Sequence, residues 1–292
     1  MLLAPLLLIG CGLFHRQASV PGPQPRYVIG KAYQAGGIWY YPQEDFRLDA
    51  TGLAVVLPER TGLTANGEAW DAAALAGAHA TLQLPAIARV TDLETGLQIL
   101  IRINDRGPAS PGRLIGLTRH AADRLGIPPG AVARVRVQVE YGPSQALRDL
   151  LQGNAGLMIA NAPREAVRSE ALPPPPGLRQ SVRVRRVSAA VPAAEASAAP
   201  VAGPARLPDG VARVPVNPGQ LWLDAGEFGQ ASDANRVRAR LAALPATVGR
   251  VQRGGSATFR VRSGPFRTIG QADSALDRAM QAGVTDARIV VD

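Results

Sequence analysis

The most restrictive feature of this sequence is a stretch rich in proline and alanine in its second half. Pro173 to Pro176 are consecutive prolines, and residues 189–204 are almost entirely Ala, Pro, Val and Ser. Such a segment cannot bury enough apolar surface to offset the entropy of ordering it, so it predicts an extended spacer. We therefore expect two small folded units separated by a disordered linker over residues 142–215.

Cysteine and histidine usage excludes several classes of site. The single cysteine, Cys11, cannot close an internal disulfide or build a Cys-rich zinc or iron–sulfur site. The three histidines (His15, His79 and His120) are too far apart for a metal helix of the HExxH type. No metal and no cofactor are therefore expected. The net charge of +9 is by itself a weak argument for nucleic acid.

The N-terminus has the pattern of a secretion signal. Residues 1–10 are apolar and too short to span a bilayer, but they resemble the hydrophobic region of a signal peptide. Leu8-Ile9-Gly10-Cys11 resembles a bacterial lipobox, which implies cleavage before Cys11 and lipidation of its sulfur. A buried free cysteine is the alternative. Residues 11–26 would then form a short tether.

Residues 27–141 have the pattern of a small, mainly β domain. Two alternating apolar runs, 86–92 and 97–103, flank a turn at Glu94-Thr95-Gly96, which is typical of a β-hairpin. A helix capped by Thr118 and ended by Gly126 follows, and a strand with valines at alternate positions closes the domain. Short strands with one or two small helices favour a closed barrel.

Residues 216–292 contain an internal repeat, in which Gly226-Glu-Phe228 recurs as Gly264-Pro-Phe266. Each copy begins with an alternating strand, turns at Gly-x-Phe and continues into an alanine-rich helix. Further strands near 247–252 and 288–291 complete a predicted βαββαβ fold, with two half-units sharing one sheet. The expected fold class of the whole chain is mainly β plus α+β.

Polar residues that could take part in catalysis or binding lie in three blocks of the first domain. These are Thr64-Ala-Asn-Gly-Glu68, Ala78-His79-x-Thr81-Leu82 and Arg102-Ile-Asn-Asp-Arg-Gly-Pro108. Asn-Gly is a tight-turn pair that projects Glu68 from a loop. The third block ends a buried strand with the Asp105 carboxylate beside Arg106. Spacing alone leaves two alternatives open, a polar site at the mouth of a barrel or a structural turn.

Together the three blocks resemble the rare lipoprotein A family of bacterial outer-membrane lipoproteins. The resemblance implies a double-psi β-barrel, and the repeat at 216–292 resembles the SPOR domain that follows a linker in such proteins. It also implies lytic transglycosylase activity on peptidoglycan. In that reaction an acid protonates the bridging oxygen of a MurNAc–GlcNAc bond, then acts as a base on the MurNAc 6-hydroxyl, which closes a 1,6-anhydro ring.

The resemblance also implies site residues. Asp105 is the expected acid/base, Glu68 would stabilise oxocarbenium charge or hold a sugar hydroxyl, and His79 would orient a carboxylate. For His79 a structural role is an equal alternative, and for Arg106 a salt bridge at the mouth of the barrel is favoured. The implied substrate-binding residues are Asn66, Asn104, Arg106, Phe228 and Phe266.

Two blocks differ from the family pattern. The family usually has Ser-Trp-Tyr-Gly where this chain has Ala54-Val-Val-Leu-Pro58, and Arg-x-Ile-Asp-Leu-Ser where this chain has Gly116 in place of the Asp. The predicted function is endolytic cleavage of denuded glycan strands at the division septum. The alternative is a catalytically degenerate, peptidoglycan-binding outer-membrane lipoprotein.

The expected partners follow from the same resemblance. They are denuded peptidoglycan strands, the outer membrane through the lipid on Cys11, and in addition septal division proteins. The protein would face the periplasm and be enriched at the septum. Nucleic acid is not expected, because the βαββαβ strands lack the paired aromatic residues on which RNA-binding domains stack bases.

Overall fold

The computed structural model describes residues 22–156, 207–253 and 256–292. The predicted signal segment 1–10, Cys11 and most of the tether lie outside the described residues, as does the central part of the predicted linker, 157–206. Within the described ranges, no helix is both long enough and apolar enough to cross a bilayer.

The first domain consists of a separate two-stranded hairpin and a six-stranded barrel. The hairpin strands are β1 (Tyr33–Ala35) and β2 (Ile38–Tyr40). The barrel strands are β3 (Asp49–Val56), β4 (Ala76–His79), β5 (Ala86–Asp92), β6 (Leu97–Asp105), β7 (Ile115–Leu117) and, after helix α1 (Arg119–Arg124), β8 (Val132–Val139).

The barrel is closed, which confirms the predicted double-psi β-barrel. Its strands follow the order β3-β7-β4-β6-β5-β8, and β8 pairs back onto β3. The pairings of β3 with β7 and of β4 with β6 are parallel, and the other four are antiparallel. Closure brings the C-terminal ends of β4 and β6 side by side, where the polar blocks of the sequence lie.

The β5–β6 hairpin forms where the alternating pattern predicts it. Gly96 has φ of +72° in the turn, and Asp92 Oδ1 accepts hydrogen bonds from the backbone N–H groups of Glu94 and Thr95 at 2.9 and 2.7 Å. Alternate residues of both strands are buried in one apolar core inside the barrel, among them Val90, Ile101 and Ile103. The core therefore follows the period-two pattern of the sequence.

Both ends of the predicted disordered linker are ordered, which corrects the bounds 142–215. Helix α2 (Tyr141–Gly156) begins directly after β8. Ser144 on α2 is buried, and its hydroxyl accepts from Ile87 N at 2.9 Å and donates to Ile87 O at 3.1 Å. At the other end, the short strand β9 (Ala212–Arg213) pairs with β6. Composition did not reveal this order because it arises from contacts with the barrel.

The second domain has the predicted βαββαβ order. The elements are β10 (Leu221–Phe228), α3 (Ala231–Arg240), β11 (Ala246–Arg253), β12 (Ser256–Phe266), α4 (Ile269–Gln281) and β13 (Arg288–Val291). The sheet is antiparallel with the strand order β11-β12-β10-β13, and helices α3 and α4 contribute buried alanines to its core. The repeated Gly-x-Phe segments do not turn as expected but form the ends of β10 and β12, where Gly226 and Gly264 have φ of +116° and +130°.

The two domains are in direct contact. Leu53 on β3 is fully buried in the core of the second domain rather than in the barrel core. Thr51 exchanges hydrogen bonds with the backbone of Val291. Arg113 makes a two-pronged ion pair with Asp273 on α4, with distances of 2.6 and 2.9 Å. This apolar and charged contact is specific, although the sequence separates the two domains by a long linker.

Candidate active site

A buried carboxylate, Glu68, lies at the centre of a polar network at one end of the barrel. The turn that carries it is closed by a hydrogen bond of 2.8 Å from Thr64 N to Glu68 O, and Gly67 has φ of +86°. Asn66, which is fully buried, donates from Nδ2 to Glu68 Oε1 at 2.7 Å. The Asn-Gly turn therefore directs Glu68 inward and does not expose it on a loop.

Strand β6 supplies the other partners of Glu68. Arg102 Nε donates to Oε1 and Oε2 at 2.8 and 3.1 Å, and Asn104 Nδ2 donates to Oε2 at 2.9 Å. Arg102 and Asn104 are two residues apart, so they share one face of the strand. The Arg102 and Glu68 side chains are only 10% and 4% exposed. Glu68 is thus held by a buried, charge-assisted network.

Asp105 ends β6 and is more accessible than Glu68. Its Oδ1 accepts from the backbone N–H groups of Ala65 and Arg106, both at 2.9 Å, and its Oδ2 forms an ion pair with Arg60 Nη2. The Asp105 side chain is 14% exposed and that of Arg60 is 39% exposed. The partner of Asp105 is therefore a partly exposed side chain near the protein surface.

Two adjoining cavities meet at Asp105. The first, of about 680 Å³, is lined by Glu68, Arg102 and Asn104, and the second, of about 470 Å³, by Arg60 and Arg106. Three residues line both cavities: Leu57, Trp70 and Asp105. Arg60 also stacks over the Trp70 ring, with its guanidinium carbon 5.9 Å from the ring centroid. An elongated ligand that fills both cavities would pass across the Asp105 carboxylate.

We call the two adjoining cavities together the groove. His79 is buried beside the groove but lines neither cavity. Its Nδ1 accepts from the backbone N–H groups of Thr81 and Leu82, both at 3.2 Å, and its Nε2 has no hydrogen-bond partner among the described residues. Burial, assisted by the nearby Arg106 guanidinium, lowers the pKa of His79 to about 4. The expected hydrogen bond from His79 to a carboxylate is not present; the ring instead organises the turn after β4.

Arg106 points away from Glu68 and fastens the N-terminal segment to the barrel. Its guanidinium donates to the backbone carbonyls of Leu82 and Ile29, and burial lowers the pKa of Arg106 below its usual value. The expected salt bridge at the mouth of the barrel is thus replaced by bonds to backbone oxygens. Arg106 nevertheless lines the second cavity, so a ligand there would contact it.

The remaining predicted binding residues, Phe228 and Phe266, are not part of this groove. They belong to the second domain, at the ends of β10 and β12, and both pack partly buried against its core. The structure therefore brings Glu68, Asn66, Asn104 and Asp105 together at one end of the barrel, and places the two phenylalanines in the other domain.

Sequence reasoning missed three residues of the groove: Arg60, Trp70 and Arg102. Arg102 carried a usable signal, because a charged residue inside an otherwise apolar strand needs a partner. Arg60 and Trp70 lie in irregular segments, and no periodicity marks them. Among the described residues, no group of three His, Cys, Asp or Glu side chains is arranged to hold a metal ion.

The fold and the site together define a class of protein: a closed barrel with a polar groove, joined to a βαββαβ domain. Comparison with known families identifies this class. The family model described as lytic transglycolase matches residues 37–137, and that of the SPOR domain matches residues 217–289. This is the architecture of a double-psi β-barrel lytic transglycosylase with a C-terminal SPOR domain.

Named relatives refine this class. The endolytic peptidoglycan transglycosylase RlpA of Pseudomonas aeruginosa is 31% identical over 261 residues, covering 87% of this chain and 74% of that protein. RlpA of Escherichia coli is 34% identical over 178 residues, 58% of this chain and 47% of that protein. The crystal structure of the RlpA SPOR domain from Pseudomonas aeruginosa aligns at 25% identity over 25% of this chain and 99% of that chain, with a TM-score of 0.23. The chain belongs to the RlpA family.

Proposed function

We propose that this protein cleaves MurNAc–GlcNAc bonds within denuded peptidoglycan strands and leaves 1,6-anhydroMurNAc ends, with Asp105 as the acid and base. The observation that carries the proposal is the position of Asp105 where the two cavities meet. An enzyme that cuts inside a chain needs space for sugar units on both sides of its acid. Asp105 is the carboxylate in the described residues that lines both cavities.

Glu68 is less suited to exchange protons. Both of its oxygens are occupied by donors from Arg102, Asn66 and Asn104, and its side chain is 4% exposed. A carboxylate held in one orientation by these hydrogen bonds is a preorganised electrostatic group, which suits the stabilisation of an oxocarbenium-like transition state. The geometry thus favours a division of roles in which Glu68 supplies charge and Asp105 transfers the proton.

Arg60 must move before Asp105 can act as an acid. Its side chain sits on Asp105 Oδ2, over the Trp70 ring, at the junction where the scissile bond would lie. A glycan entering the groove would displace the exposed guanidinium from Asp105 and free Oδ2 for the bridging oxygen. As the MurNAc O6 attacks C1 and closes the anhydro ring, Asp105 takes the 6-hydroxyl proton in place of the one it gave to the leaving oxygen, so the step balances with one carboxyl group.

The second domain supports the choice of denuded strands. The helices cover the sheet face that carries Leu221 and Leu223, so the residue between them, Trp222, lies on the opposite face. Arg262 packs over the Trp222 ring at 5.8 Å, and Arg260 is held 2.8 Å from the buried carboxylate of Asp224. Arg262 also pairs with the Asp292 carboxylate. Removal of stem peptides leaves a carboxylate on each MurNAc lactyl group, and this face offers such a strand an aromatic ring and two ion-paired guanidinium groups.

The proposed location is the periplasmic face of the outer membrane, with lipid on Cys11 and enrichment at the septum. Its support is the lipobox-like sequence and the match of residues 217–289 to the SPOR domain. Mass spectrometry of the mature N-terminus tests the lipid. A fluorescent fusion of the full chain with Trp222→Ala and Arg262→Ala tests septal recruitment, which we expect those substitutions to abolish.

The deciding experiment incubates the purified protein with sacculi stripped of stem peptides and reads 1,6-anhydro products by mass spectrometry. Asp105→Asn should lower product formation by about 100-fold or more, the usual contribution of a general acid and base. Asp123→Asn is the matched control, because Asp123 is an exposed aspartate of helix α1 that lines neither cavity. If the unaltered chain makes no more product than Asp105→Asn, the protein is a wall-binding lipoprotein without catalysis, the alternative that the replacement of an aspartate by Gly116 favours.

A further inference from the structure

Residues 207–219, which span the end of the predicted linker and the start of the second domain, run across the barrel beside the groove; we call this segment the strap. Leu207 and Asp209 at its beginning line the first cavity, together with Glu68, Arg102 and Asp105. Part of the wall of the candidate active site therefore comes from outside the barrel.

The beginning of the strap is held by helix α1. Asp209 Oδ1 lies 3.2 Å from both His120 Nε2 and Arg124 Nε, and Arg124 Nη2 donates to the backbone carbonyl of Asp209 at 2.6 Å. These contacts fix the direction in which Leu207 enters the cavity. The Asp209 side chain remains 58% exposed, so its carboxylate is accessible to a ligand.

The middle of the strap adds a strand to the barrel. Ala212 and Arg213 pair antiparallel with Gln98 and Leu97 of β6, and Val214 N donates to Gly96 O at 2.8 Å. Gly96 is in the left-handed region, and a Cβ at this position would collide with the carbonyl oxygen of Val214. The β5–β6 turn thus leaves room for the strap at a residue that has to be glycine.

The end of the strap is also fastened before the second domain begins. Asn217 N donates to Leu93 O at 3.1 Å, and Arg134 Nη1 donates to the carbonyls of Pro218 and Gly219 at 3.2 and 3.3 Å. The strap is therefore held on the barrel near its beginning, in its middle and at its end. A simple connection between two domains would not need contacts at its beginning, middle and end.

We propose that the strap is a substrate-binding wall of the groove, and that Leu207 and Asp209 determine how tightly the cavity beside Glu68 holds sugar units. Leu207 offers an apolar surface to the C–H face of a sugar ring, and Asp209 offers a carboxylate to its hydroxyl groups. This inference rests on the proposed function, since it takes the ligand to be a glycan. It makes the segment leading to the SPOR domain part of the active site.

The test uses the full chain with Trp39→Phe and Trp222→Phe. Trp70, which lines both cavities, is then the one remaining tryptophan, and its fluorescence reports binding in the groove. The probe is a set of GlcNAc–MurNAc oligosaccharides without stem peptides. Leu207→Ala and Asp209→Ala should each raise the Kd about 5-fold, the equivalent of roughly one lost contact.

Two further variants separate binding from structure. Val211→Ala is the matched control, because Val211 is an exposed strap residue that does not line the cavity, and its Kd should not change. Arg124→Ala removes an anchor of the strap without touching the cavity and should raise the Kd as well. Unchanged Kd values for Leu207→Ala and Asp209→Ala in folded protein, judged by thermal unfolding, would overturn the inference.

The outcomes also distinguish this inference from the proposed function. Binding that depends on the strap, in a chain that forms no anhydro product, supports the binding wall and contradicts catalysis. Product formation with a Kd that is independent of Leu207 and Asp209 supports catalysis and contradicts the binding wall.

Discussion

The side chain of Leu57 lies directly over Gly116. A Cβ added at Gly116 would stand 2.8 Å from Leu57 Cγ and closer still to Cδ2. Both residues belong to blocks in which this chain differs from the pattern of its family, and Val55, two residues before Leu57, pairs with Gly116 between β3 and β7. The two differences are therefore one coupled change in packing, in which a leucine fills the space that a side chain at position 116 would need.

This packing predicts a coupling between the two positions. Gly116→Ala should lower the free energy of unfolding by about 1–3 kcal/mol, because the added methyl group overpacks the contact with Leu57. In a Leu57→Ala background the same change should cost about 1 kcal/mol less. Urea unfolding of the four proteins of this double-mutant cycle measures the difference. Strictly additive costs would contradict the contact.

The Glu68–Arg102 pair should be essential for stability. Glu68→Gln leaves the buried Arg102 guanidinium without a counter-charge, so the free energy of unfolding should fall by about 3–5 kcal/mol. The matched control is Glu140→Gln, which removes the partner of Arg89 in a more exposed pair and should cost less than about 1 kcal/mol. Urea denaturation measures both. Equal costs for the two variants would show that burial does not strengthen the first pair.

His79 should make stability depend on pH in the acid range. The pKa of His79 is about 4 in the folded protein against 6.5 for an exposed histidine. Above pH 6.5 the ring is neutral in both the folded and the unfolded chain, so its full contribution to the free energy of unfolding is present. As the pH falls towards 4 only the unfolded chain takes up the proton, and the free energy of unfolding should fall by about 3 kcal/mol.

The measurement is the difference in unfolding free energy between the unaltered protein and His79→Gln from pH 7 to pH 4. Glutamine cannot take up a proton, so this variant should lose that part of the pH dependence. A slope that is the same with and without His79 would contradict the low pKa.

The contact between the domains should make them unfold together. Leu53→Ala should lower the free energy of unfolding by about 2–5 kcal/mol, because it leaves a cavity in the core of the second domain. Leu150→Ala, at a position that is 62% exposed, should change it by less than about 0.5 kcal/mol. Calorimetry should show one transition for the unaltered chain and two for Leu53→Ala. Two transitions in both would mean that the domains are independent.

Local patterns predicted several elements of this protein correctly. The β5–β6 hairpin, the Thr118 cap of α1 and the βαββαβ order of the second domain all follow from residue spacing and turn chemistry, which act between neighbours in the chain. The linker bounds failed at α2 and β9, because a segment of polar or small residues can be ordered by the surface on which it packs.

The sequence by itself determined the division into two domains and the barrel, and it marked Glu68, Asn104 and Asp105 as polar residues in separate blocks. Only the tertiary structure decided their partners: Arg102 for Glu68, Arg60 for Asp105 and the strap for the cavity between them. Along the chain, Arg102 is 34 residues from Glu68 and Arg60 is 45 residues from Asp105, and the strap is still farther from both carboxylates. Barrel closure and strand register bring these residues together, and no local periodicity of the sequence reveals the closure or the register.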